Sequence, residues 1–113
     1  MNIQIFGTKK SFDTKKAQRW FKERRITFQF IDLKEKGMSK GELESAMRCV
    51  GGIDGVLDAG AKDQDTVALI TYLAESQKFE KLLENQQVLR EPIVRNGRQA
   101  TVGYQPDVWG GWE

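Results

Sequence analysis

Ile3-Gln4-Ile5-Phe6-Gly7-Thr8-Lys9-Lys10-Ser11-Phe12-Asp13-Thr14-Lys15-Lys16-Ala17-Gln18-Arg19-Trp20 is the stretch whose pattern settles the architecture. Ile3 and Ile5 alternate, which marks a short strand over residues 2–6. Gly7 leads into a polar loop. From about 12 to 24 the period changes to that of a helix, with Ala17, Trp20 and Phe21 sharing one face. The charged cluster Lys22-Glu23-Arg24-Arg25 closes it. Ile26-Thr27-Phe28-Gln29-Phe30 then alternates again, extended by Ile31, as a second strand. Only a connection containing a helix lays two consecutive strands side by side in parallel, so the opening is expected to be a right-handed βαβ unit.

The centre of the chain is helical. Ser39-Lys40-Gly41-Glu42 has capping-box spacing, and Leu43, Ala46, Met47 and Val50 form one apolar stripe behind it. Gly51-Gly52 is placed to stop that helix. Residues 53–63, rich in Gly and Asp, are expected to be a loop. A helix follows from about 65 to 74, carrying Val67, Ile70 and Leu73, and another near 77–85 carries Phe79, Leu82 and Leu83. The last third returns to strand. Residues 92–102 form a hairpin around Asn96-Gly97, a pair suited to the two positive φ angles of a type I′ turn. Pro106 opens a short terminal helix or turn with Val108 and Trp109. The order is β-α-β-ααα-β-β-α: an α/β fold with a mixed central sheet.

Length and composition limit the possible functions. A chain of 113 residues can bury a single core, and no linker or repeat divides it, so 1–113 is expected to be one domain. One Cys and no His exclude an internal disulfide framework and a zinc site of the usual Cys/His kind. No residues suggest another metal or a cofactor. The absence of a signal-like opening and of 18 consecutive apolar residues gives an expectation of a cytoplasmic protein with no membrane partner. A net charge of +2 gives no expectation of direct nucleic-acid binding.

The strand–loop–helix, with the order of elements after it, resembles the arsenate reductase (ArsC)/Spx family of thioredoxin-like proteins over nearly the whole chain. Lys15-Lys16-Ala17 matches that family's basic pair and Ala. The segment Val88-Leu89-Arg90-Glu91-Pro92-Ile93-Val94 resembles its basic-Arg-Pro-Ile-Val motif. The resemblance implies a thioredoxin-like fold and a Cys at the loop-to-helix junction, often with a second Cys three residues on. It also implies an Arg before the Pro that faces the reactive Cys and the substrate oxyanion, and a proline that follows a cis bond. Here the Cys positions read Ser11 and Thr14, and Glu91 takes the place of the Arg, while Arg90 and Pro92 keep theirs. In the loop where relatives supply another basic residue, residues 57–62 hold only Lys62 as an approximate substitute.

Three departures in one pocket argue against redox catalysis. A helix N-terminus can stabilise a thiolate, but a Ser hydroxyl needs a general base, and only Asp13, Glu91 or a Lys is at hand. Ser11, or Asp13, is instead expected to cap the first helix. A small anion is the other candidate ligand, held by Ser11 and Thr14 with Lys9, Lys10, Lys15, Lys16 and Arg90 around them. Cys49, beside Met47 and Val50, is expected to be buried packing. Trp20 belongs to the core stripe, whereas Trp109 and Trp112 either fold back onto the sheet or form an exposed patch.

Two functional classes remain. The resemblance implies either an arsenate reductase-type thiol-dependent oxidoreductase, whose nucleophile and oxyanion Arg are missing here, or a non-catalytic binding or regulatory module. In the Spx branch the fold regulates transcription by contacting the C-terminal domain of the RNA polymerase α subunit, and residues 48–54 lie where that branch docks.

Overall fold

The computed structural model describes residues 1–112. Strand β1 (Ile3–Gly7) leads to helix α1 (Phe12–Glu23), strand β2 (Phe28–Asp32) and helix α2 (Lys40–Cys49). Helices α3 (Ile53–Val56), α4 (Gln64–Tyr72) and α5 (Glu75–Glu84) follow. A 3₁₀ turn (Gln86–Val88), strands β3 (Ile93–Asn96) and β4 (Gln99–Val102), and helix α6 (Pro106–Gly110) complete the order.

The sheet runs β2-β1-β3-β4, with β1 parallel to β2 and antiparallel to β3, and β3 antiparallel to β4. Strand alternation divides the core into two. Ile3, Ile5 and Val94 face α1 and α6, packing on Ala17, Trp20, Phe21 and Trp109. Phe6, Ile31 and Ile93 point the other way into a larger cluster with Leu43, Ala46, Val67, Ile70 and Leu82. The expected α/β thioredoxin-like layering is therefore present, and the βαβ opening and ββα close fall where the periodicity put them. Among the described residues no helix is long and apolar enough to cross a membrane.

Local differences have local causes. Strand β2 begins at Phe28, not Ile26, because the Ile26 N–H turns back to the Phe21 carbonyl (3.0 Å) and Arg25 adopts a φ of 57°. The expected loop over 53–63 contains α3, a single turn too short to show a period, and Leu57 bridges to Leu89. At the hairpin Asn96 pairs with Gln99, so Gly97-Arg98 is the two-residue loop. Only Gly97 there has a positive φ, 61°, at the first central position, the pattern of a type II′ turn instead of the expected I′. The Ser39/Glu42 capping box forms as its spacing predicts.

The terminal tryptophans fold back. Trp109 is fully buried against Trp20, Phe21 and Tyr104 at ring-centroid distances of 5.5, 5.1 and 5.5 Å, and Trp112 packs on the same cluster. The Trp109 indole N–H donates to Thr101 Oγ1 at 2.8 Å.

The expectation for Cys49 is corrected: it is exposed. It falls six residues after Leu43, so on an ideal helix it points about 120° away from the buried side. Its thiol donates to the Arg98 carbonyl oxygen at 3.2 Å. A small thiol reagent should therefore label Cys49 in the native protein at a rate close to that in denaturant. Labelling that waits for unfolding would place the thiol inside.

Candidate functional site

Strand β1 ends at Gly7, and the chain passes Thr8 before a tight turn in which the Ser11 N–H bonds to the Thr8 carbonyl (3.2 Å). Ser11 is the N-cap of α1. Its backbone is extended and its Oγ accepts the Thr14 N–H at 3.2 Å. Asp13 lies in the first turn, where its charge favours the positive end of the helix. Loss of the cap in Ser11→Ala should cost about 0.5–2 kcal/mol, measured by denaturant unfolding. An unchanged midpoint would show that the turn holds α1 without the hydroxyl.

Across the junction comes the chain before β3. Glu91 and Pro92 are joined by a cis peptide bond. The Glu91 carboxylate projects back to the loop. It accepts the Thr8 N–H, the Thr8 hydroxyl at 3.2 Å and the Thr14 hydroxyl at 3.3 Å. Thr14 has no exposed surface, so it serves as a donor inside the junction and cannot meet a substrate. Gly7 makes the approach possible: a Cβ there would sit 2.4 Å from Thr14 Oγ1 and 3.1 Å from Glu91 Oε1. A side chain at position 7 would have to displace both groups.

The other candidates disperse. Arg90 does not join Glu91: its Nε donates to the Leu57 carbonyl at 3.0 Å and its N–H to the Val56 carbonyl at 2.8 Å, tying the segment before β3 to α3. Lys9, Lys10, Lys15 and Lys16 are exposed, and Lys16 sits over the Tyr104 ring at 4.3 Å. Lys62 is exposed at the rim of α4. Among the described residues no base accepts from the Ser11 hydroxyl. The junction thus gathers Ser11, Thr14, Glu91 and Pro92, and leaves the cations outside it.

Thr8 escaped the sequence argument although it supplies two of the three donors to Glu91. The available signal was its position, first after a strand that ends in Gly. Elsewhere Asp63 caps α4, and hydrogen bonds from the Thr66 hydroxyl, the Gln87 amide and the Thr66 N–H hold its carboxyl below the usual value of 3.8. That contribution to stability is complete above pH 3.8 and fades as pH falls through the lower folded value.

Known proteins give these features a context. Global transcriptional regulator Spx 2 of Oceanobacillus iheyensis is 28% identical over 109 residues, covering 95% of this chain and 80% of that protein. A protein of the same name from Lactococcus lactis is 24% identical over 107 residues, covering 93% and 81%. Among solved structures, an arsenate reductase from Vibrio cholerae superposes with a TM-score of 0.80 at 20% identity, over 96% of this chain and 94% of that one. An ArsC family related protein from Bacteroides fragilis gives a TM-score of 0.82 at 17% identity, over 100% and 98%. At these identities the structural likeness speaks for the fold. The sequence model of the ArsC family matches residues 6–111, which takes in the end of β1, the Ser11 junction, the Glu91-Pro92 segment and α6. With that match across both halves of the junction, the chain belongs to the ArsC family.

Proposed function

We propose that residues 1–113 work as one thioredoxin-like domain whose junction is closed and redox-inactive, and that the protein is a non-catalytic binding or regulatory module. The observation that carries this is the Glu91 carboxylate bonded to Thr8 and Thr14. It puts an internal anion against the start of α1, where the family resemblance implies that an incoming oxyanion would be held by an Arg. An external phosphate or arsenate would have to expel that carboxylate and then lie beside it. With Ser11 engaged as a cap and Thr14 buried, neither position where the resemblance implies a Cys presents a free nucleophile.

The test is an arsenate reductase assay of the purified chain, with glutathione and glutaredoxin or with thioredoxin supplying electrons. No turnover above the protein-free rate is expected. Turnover that survives Cys49→Ser but vanishes in Ser11→Ala would overturn the proposal.

The partner in this reading is the C-terminal domain of the RNA polymerase α subunit. Two observations support it: the 28% identical relative is named a global transcriptional regulator, and the end of α2 carries an open groove of about 470 Å³ lined by Glu44, Met47, Arg48, Gly51 and Gly52. Such a role belongs in the cytoplasm. Binding of the purified α domain should be lost in Arg48→Glu with the fold intact. Equal binding by that variant would move the contact elsewhere.

A further inference from the structure

The net charge of +2 averages two unlike parts. Residues 1–25 hold eight Lys and Arg against two acidic residues, a net +6, and the remaining residues carry a net −4. Helix α1 organises the positive part. Thr14, Ala17, Trp20 and Phe21 turn into the core. On the opposite side Phe12, Lys15, Arg19 and Lys22 fall at i, i+3, i+7 and i+10, close to one line along the axis. Lys9 and Lys10 lie in the turn before the helix start, and Arg25 just after its end.

All of these cations are exposed, and Phe12 is 77% exposed at the head of the row. Lys16 and Arg24 are occupied differently, over the rings of Tyr104 at 4.3 Å and Trp20 at 4.0 Å. Among the described residues no carboxylate forms an ion pair with the row: the pairs present are Lys78–Glu75, Lys81–Glu84 and Arg95–Glu42. At its N-terminal end the arrangement works against the helix, although Lys22 in the last turn suits the dipole. Lys15 and Arg19 are like charges four apart, and Lys15 stands in the first turn against the dipole.

We infer that the outer row of α1, with Lys9 and Lys10, is a binding surface for single-stranded nucleic acid. A row of phosphates supplies the missing negative charge. An unstacked base supplies what Phe12 lacks, since a bare aromatic among cations is the usual platform for base stacking. A lipid surface fits less well, because α1 spends its apolar face on the core and leaves one aromatic to insert. An acidic protein would meet the charge but gives no reason for an aromatic ring at this position. The row borders a shallow hollow of about 510 Å³ lined by Lys15, Gln18, Arg19, Lys22 and Glu23. Glu23 is its one acidic member, at the end away from Phe12. This surface lies across the sheet from α2, so the inference is independent of the polymerase contact. It departs from the expectation drawn from net charge alone.

The experiment is fluorescence anisotropy of a labelled oligothymidine strand of roughly 16 nucleotides with the full chain. Binding should appear near 50 mM salt. Six phosphate contacts would make affinity fall roughly 300-fold between about 50 and 200 mM. Phe12→Ala should weaken binding about tenfold or more, and the triple change K15E/R19E/K22E should abolish it. All four positions are exposed, so circular dichroism should report an unchanged fold. If the triple variant does not fold, Phe12→Ala and Arg19→Glu alone carry the test. No binding near 50 mM salt, or full binding by Phe12→Ala, would overturn the inference. Tighter binding to polyglutamate or to phosphatidylserine vesicles than to the strand would overturn it as well.

Discussion

Replacing Trp109 with Ala should remove about 3–5 kcal/mol of stability, the usual cost of deleting a large buried aromatic. Trp109 has no exposed surface and touches Trp20, Phe21 and Tyr104, so little around it can collapse to fill the space. The loss also strands the hydroxyl of Thr101, which is itself buried and accepts the indole N–H. Whole domains are stable by only about 5–15 kcal/mol, so the variant should unfold at a far lower denaturant concentration. Trp109→Phe should recover most of the packing but not the hydrogen bond. A Trp109→Ala midpoint within a few tenths of a kcal/mol of the parent would mean that α6 is not docked.

The second large effect is expected at Glu91. Glu91→Ala leaves the Thr8 N–H and the Thr14 hydroxyl without an acceptor, and should cost about 1.5–3 kcal/mol, the range for bonds to a charged group. Glu91→Gln should cost less, since an amide oxygen can still accept from both. The junction vacated by Ala is lined by donors at a helix start, a setting that favours anions. Inorganic phosphate should therefore raise the melting temperature of Glu91→Ala and leave the parent unmoved. An equal rise in both would show that the carboxylate is not the occupant of the site.

How far these features could be read from residues varied with the kind of information they needed. Helix α1 and strand β1 were legible because Ile3, Ile5, Ala17, Trp20 and Phe21 carry periodic apolar signals that one sheet face satisfies. The capping box at Ser39 was equally plain, being a contact within four residues. Helix α3 was not, because one turn has no period. Cys49 failed for a geometric reason: neighbours in sequence on a helix point in different directions, and adjacency to Val50 said nothing about its side. At the junction the motif positions Ser11, Thr14, Glu91 and Pro92 were found together. What they do to one another was not legible, since the bond from Glu91 to Thr8 spans 83 residues. Only the folded chain shows the Glu91 carboxylate turned back onto the loop and bonded to Thr8 and Thr14.

The burial of Trp109 sets a schedule for synthesis. Ile3 and Ile5 belong to β1, yet the cluster that covers them is completed by Val94 and Trp109. At about 5–20 residues per second the ribosome needs roughly 5–20 s to travel from one to the other. Throughout that interval the apolar side of β1 and the Trp20/Phe21 face of α1 have each other but no lid. Native closure on this side of the sheet therefore awaits the synthesis of α6. A nascent chain halted before α6 would keep that side open and available to a chaperone, whereas one released beyond Trp109 would not.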